Sequence, residues 1–140
     1  MLNLEVLPGS YAICRLDCSE AVPEWVQGVA PGADAFVSIT RTSDELSIVC
    51  LDADIPDHVK AERDWRCMRV AGKLDFALVG VIAKLTKHLA DATVSVFVVS
   101  TFDTDYLLVK DDDWARAVTA LSNGGYSVPT DGGHPGSIGV

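Results

Sequence analysis

The chain has 140 residues, is 49% hydrophobic, and carries a formal net charge of −9 at pH 7. That apolar fraction is enough for a real core, in one compact unit or two small ones. The acidity and the lack of a basic stripe exclude a phosphate-backbone binder, and no apolar run is long enough to cross a bilayer. The first residues lack the basic and long apolar regions of a signal peptide, so a cytoplasmic protein is expected. Cys14, Cys18, Cys50 and Cys67 form no Cys-x-x-Cys pair, and His58, His88 and His134 are scattered. Reduced thiols, no metal and no cofactor are therefore expected.

In chain order, residues 2–7 read as a short strand ended by Pro8-Gly9, and residues 11–16 as a clearer one. Residues 21–29, interrupted by Pro23, allow at most a short helix, closed by Pro31-Gly32. Residues 36–40 and 46–51 predict a hairpin turned by Thr42-Ser43-Asp44-Glu45. Pro56 suits a helix start, so residues 57–62 are read as a short helix. Residues 65–70 predict a strand.

The apolar stripe Leu78, Val81, Ile82, Leu85, Leu89 has helical spacing, with Lys84, Lys87 and His88 away from it. Residues 94–109 then predict a second hairpin around Thr101-Phe102-Asp103-Thr104-Asp105. Its first strand is apolar on both faces, as an interior, doubly covered strand would be. Asp111-Asp112-Asp113 opens a helix with the stripe Trp114, Ala117, Val118, Leu121, where a carboxylate suits the dipole or the cap. Asn123-Gly124-Gly125 ends it, residues 126–128 are a last short strand, and residues 130–140 a mobile tail.

The halves repeat. Residues 36–49 overlay residues 96–109 without a gap, which sets Thr40 on Ser100, Glu45 on Asp105 and Val49 on Val109. Ile13-Cys14-Arg15-Leu16 resembles Cys67-Met68-Arg69-Val70. The expected fold is α+β: a βαββαβ unit twice, antiparallel strands with helices on one face. The units are placed at 1–62 and 63–129. How the strand at Trp65 is shared between them stays open.

Two features carry binding chemistry. The loop from Gly72 to Gly80 enters the Leu78 helix, whose first N–H groups lack partners and suit an α-carboxylate. The plainer readings are an N-cap for Asp75 and close helix–sheet packing for Gly80. At the second hairpin tip, Asp103 and Asp105 can accept bonds from an ammonium group, or simply shape an Asx-type turn. Phe102 is either a wall for a ligand's side chain or ordinary packing. A carboxylate-binding helix start beside an ammonium-binding acid describes an amino-acid pocket. No nucleophile elbow, P-loop or Gly-x-Gly-x-x-Gly is present, so the chain is not read as an enzyme.

The run from Trp65 through Gly72-x-Leu74-Asp75-Phe76-x-Leu78-x-Gly80-Val81, Leu89-Ala90-x-Ala92 and Val94-Ser95-Val96-Phe97 to Ser100-Thr101-Phe102-Asp103-Thr104-Asp105-Tyr106-x-Leu108-Val109 resembles a small family of bacterial proteins with two ACT domains in tandem. The first half resembles the partner ACT module with weaker motifs. The resemblance implies ferredoxin-like units related to the regulatory ACT domains of aspartate kinases and to ACT-type amino-acid sensors. It implies an amino acid bound between ACT units, lined on one side by Leu74, Asp75, Phe76, Leu78, Val79 and Gly80. Thr101, Phe102 and Asp103 would line the other side. The implied role is a non-catalytic regulatory module, as a homodimer or with a regulated protein partner. A ligand-free ACT interaction module is the alternative.

Overall fold

The structure, a computed structural model, describes residues 3–71 and 80–129. The seven strands are β1 (Leu4–Val6), β2 (Tyr11–Leu16), β3 (Ser38–Arg41), β4 (Leu46–Leu51), β5 (Ala61–Val70), β6 (Phe97–Ser100) and β7 (Asp105–Lys110). Among the described residues, two α-helices, α1 (Val81–Asp91) and α2 (Trp114–Asn123), lie in the second half. All seven strands join in one antiparallel sheet, in the order β3-β4-β2-β5-β7-β6, with β1 pairing β5 as well.

The long strand β5 answers how the two repeats meet. Its first half pairs β2, with Tyr11 opposite Trp65 and Cys14 opposite Ala61. Its second half pairs β1 on that same edge, with Leu4 opposite Val70 and Val6 opposite Met68. Between them the Leu7 amide donates to the Cys67 carbonyl at 2.9 Å. Pro8 removes a donor and Gly9 turns at φ +86°, so the pairing breaks there and resumes at Tyr11; the register shifts again between Tyr11 and Ile13, where Asp64 on β5 takes φ +66°. β7 pairs with the second half of β5 on its opposite edge, from Trp65 opposite Lys110 to Arg69 opposite Tyr106. Thus β5 ends one repeat and begins the other, while β1, from the far end of the sequence, completes the second repeat's four strands.

Side chains alternate across the sheet and divide the core. On one face, Met68, Val70, Leu107 and Val109 pack against Leu85 and Leu89 of α1 and Trp114, Ala117 and Leu121 of α2. The same face of β2 and β4, carrying Ala12, Cys14, Ile48 and Cys50, is covered by loop residues Ile55, Trp25, Val26 and Val59. On the other face, Tyr11, Trp65, Cys67, Leu108 and Val49 pack with Phe36, Phe97 and Val99. Sheet twist curls this face inward. The edge strands β3 and β6, at opposite ends of the strand order, therefore flank one cleft of about 280 Å³. It is lined by Ser38, Thr40 and Ser47 on one lip and Phe97, Val99 and Ser100 on the other.

Several expectations need correction. Residues 21–29 and 57–62 form no helix: Val26 donates to Pro23 and Val59 to Pro56, each closing a single turn. The two prolines allow a first turn, and neither segment has an apolar stripe long enough to continue it. Helices on one face therefore hold for the second half, while loops cover the first. Strand β6 is an edge, not an interior strand. Its two faces meet different cores, with Val98 against the helix side and Phe97 and Val99 against the curled side. The ungapped overlay is also one residue out. Ser38 pairs Val49 as Phe97 pairs Leu108, and Thr42 closes its turn as Thr101 does. Val49 thus corresponds to Leu108, not Val109, and a one-residue slip reverses every face. Residues 126–128 form no strand, only a single parallel bridge, Asn3 to Ser127. Asp113 precedes α2 without capping it, and its carboxylate accepts from Arg116 Nη2 at 2.9 Å.

Candidate functional site

The β6–β7 hairpin tip is built by threonines. The Thr101 amide donates to the Thr104 carbonyl at 2.8 Å, and the Thr104 amide donates to Thr101 Oγ1 at 3.2 Å. These bonds leave the Thr104 hydroxyl to reach out of the hairpin, where it donates to the Val70 carbonyl at 2.9 Å. Thr104 is buried. This bond fastens the tip against the end of β5, and the segment leading to α1 departs from that end. Asp105 lies on β7 and accepts from Ser100 Oγ across the ladder, so its carboxylate belongs to the hairpin. The sequence reading named Thr101, Phe102 and Asp103 but missed Thr104. The one sequence signal for it is a second threonine, three residues after Thr101, within the same short tip.

Gly80, the other described member of the predicted set, precedes α1 with φ +81° and ψ 12°, and its carbonyl accepts from Lys84. A Cβ there would meet nothing within 4 Å among the described residues. The left-handed backbone is by itself a reason for glycine here.

The predicted residues fall into two groups. Leu74, Asp75, Phe76, Leu78 and Val79 lie outside the described residues. Gly80, Thr101, Phe102 and Asp103 are described, the last three on the tip that Thr104 ties to β5. Phe102 is 83% exposed, an unusual position for a large aromatic ring.

The corresponding corner of the first half is closed by its own side chains. Thr42 Oγ1 accepts from the Asp44 and Glu45 amides, both at 3.1 Å. Arg15 Nη2 donates to the Asp44 carbonyl at 2.9 Å, and Arg41 Nη1 donates to the Cys18 carbonyl. Two arginines thus occupy the space between this tip and the turn after β2.

Around the curled face the electrostatics are structural. Burial pushes the Tyr11 hydroxyl up to about 12, and it accepts from the Phe36 amide at 3.2 Å. Phe36 stacks on Tyr106 with ring centroids 4.2 Å apart. The Glu5 carboxylate, bonded to Arg69 Nε at 2.7 Å, holds that guanidinium further into its charged form. Cys14, Cys50 and Cys67 are buried in strands; burial raises all three thiols, Cys50 to about 12. Such thiols are poor nucleophiles. Among the described residues, no His, Cys, Asp and Glu cluster is arranged to hold a metal ion, and no helix is long and apolar enough to cross a membrane.

Comparison with known proteins agrees with this architecture. The ACT domain family profile matches residues 60–123, and the profile of an N-terminal domain defined on another protein matches residues 9–58. The crystal structure of protein Atu0741 from Agrobacterium tumefaciens superposes with a TM-score of 0.83 at 42% identity, covering 91% of this chain and 92% of that one. The ligand-free regulatory subunit of aspartate kinase from Thermus thermophilus shares the fold, with a TM-score of 0.55 at 8% identity over 86% of this chain and 96% of that one. The cytosolic arginine sensor for mTORC1 subunit 1 from Bos taurus is 34% identical over 133 residues, 86% of this chain. This chain spans 40% of that protein's length. With an ACT domain matched over residues 60–123 and 42% identity across 92% of protein Atu0741, the chain is an ACT-domain protein of the same family as Atu0741.

Proposed function

We propose that this chain is a non-catalytic regulatory module that binds an amino acid between the loop entering α1 and the β6–β7 tip. The observation that carries the reading is the Thr104 hydroxyl on the Val70 carbonyl, which sets the tip beside the root of that loop. The α1 N-terminus would receive the α-carboxylate and Asp103 the ammonium group. Leu74, Asp75, Phe76, Leu78, Val79 and Gly80 would line one wall, Thr101 and Phe102 the other. The similarity to a protein named as an arginine sensor supports an amino-acid ligand and makes arginine the first to test. The reading takes the chain as two ACT units, 1–62 and 63–129, acting in the cytoplasm on a protein partner or as a homodimer.

A ligand that binds only the folded state raises stability by about 2.7 kcal/mol at one hundred times its dissociation constant. A thermal-shift screen against the common amino acids, arginine included, therefore tests the proposal. A rise with one amino acid, lost in Asp103→Ala, is the expected result. No rise with any of them overturns it and leaves the ligand-free interaction module.

A further inference from the structure

We propose that the cleft between β3 and β6 is a seam that switches between open and zipped states, and that β6 couples it to ligand occupancy at the hairpin tip. This rests on the amino-acid-binding reading above and adds the regulation of that site.

β6 belongs to both places. Its last residue, Ser100, lines the cleft, and the next residue, Thr101, begins the candidate site. Within the sheet β6 pairs with β7 alone, and its other edge faces the cleft. The strand is anchored unevenly. Phe97 packs edge-on against the buried Trp65, with ring centroids 6.3 Å apart, while Ser100 is exposed. Motion of the tip therefore moves the Ser100 end about the Phe97 end.

The two lips are suited to two discrete states. Every neighbouring pair in the order β3-β4-β2-β5-β7-β6 is antiparallel, so β3 and β6 run antiparallel to each other. Narrowing the cleft brings together edges of the right polarity for a ladder. The residues on the lips, Ser38, Thr40, Val98, Val99 and Ser100 among them, include no charge to resist approach. Edge strands in monomers are usually blunted by charge or proline, and β6 has neither. A ladder either forms or does not, which is the kind of bistable element that carries coupling between sites.

Hydrogen exchange tests this with L-arginine as the first probe, then the other common amino acids. The expected result is altered exchange at the tip, residues 101–105, together with a change of about threefold or more at the β3 amides, which lie outside the site. A change at the tip with β3 unaffected overturns the seam and leaves the binding reading standing. No change at either place with any amino acid overturns both. Thr40→Lys supplies a second readout, since Thr40 is an exposed lip residue on β3 and the variant should fold. Binding linkage is reciprocal, so a charge placed in the seam must shift the affinity for the amino acid that binds, about threefold or more in either direction. An unchanged affinity in this variant overturns the coupling.

Discussion

The two halves of this chain build one strand pattern with different covers. Ile48 lies opposite Cys14 as Leu107 lies opposite Met68, and all four face the same side of the sheet. In the second half two amphipathic helices cover that side. In the first, the same side is sealed by Trp25, Val26, Ile55 and Val59 from loops. The loops are themselves tied down: Arg63 pairs with Asp52 at 2.5 Å and donates to the Ile55 and Pro56 carbonyls. The comparison teaches that the strand frame needs apolar cover, and that the cover need not be helical. It also separates the two corners. The first half ties its tip and its post-strand turn with Arg15 and Arg41, while the second ties its tip to the end of β5 through Thr104. If the proposed pocket binds an amino acid, it should do so once per chain, and titration calorimetry should return that stoichiometry.

The largest expected effect tests whether loop cover equals helix cover. Leu107 and Ile48 are both wholly buried. Leu107→Ala and Ile48→Ala should each cost about 2–5 kcal/mol in urea unfolding. A much smaller loss for Ile48→Ala would mean that the loops collapse around the cavity and form no firm core.

Helix-to-helix fit comes next. A Cβ on Gly124 would lie 2.8 Å from the His88 ring, so Gly124→Ala must displace that ring from its edge-on contact with Tyr126 and should cost about 1 kcal/mol. Gly28, in the first half, has nothing within 4 Å of such a Cβ. Gly28→Ala should be neutral or slightly stabilising through the unfolded chain. Equal melting temperatures for the two variants would remove this contrast in packing between the halves.

The strands at 11–16 and 46–51 were legible to the residue because their flanking turns are marked by glycine, proline, aspartate or threonine. The α1 and α2 stripes were legible from spacing. Three things were not. Residues 96–99 are apolar on both faces, so this strand has no alternation to set the register, and the overlay slipped by one. The same two-faced character made an edge strand look interior, because curling of the sheet covers a face as well as a second layer does. The sharing of β5 depends on β1 returning from the far end of the chain, a pairing no local pattern records. For the site, the tip was legible as a tip. The Thr104 bond to Val70 was not, since it joins residues far apart in sequence.

The hydroxyls at the two tips give a smaller test. Thr104→Val leaves the Val70 carbonyl without its donor in a buried place and should cost about 1 kcal/mol. It should also abolish the thermal response to an amino acid. Thr42→Val removes an exposed acceptor for two amides and should cost a few tenths of a kcal/mol, roughly the scale of surface changes, with ligand response intact. Loss of response in both variants would show that the first-half corner also contributes to binding.

The smallest effect lies in the turn after β2, which corresponds to the second half's proposed carboxylate-binding loop. Here Asp17 Oδ1 accepts from the Ser19 amide at 2.9 Å and the Ser19 hydroxyl at 2.7 Å. Those bonds hold the Asp17 carboxyl below its ordinary range. A folded-state value below the unfolded one stabilises the fold above the ordinary carboxylate range, and that contribution is lost as pH falls through the depressed value. The group is fully exposed, so the effect on stability is slight and NMR titration is the sensitive measurement. Ser19→Ala should move the Asp17 midpoint upward, toward an ordinary carboxylate, while adding an amino acid should leave it in place. If the ligand shifted Asp17 as well, this turn would not be closed on itself, and the two corners of the molecule would be binding sites of the same kind.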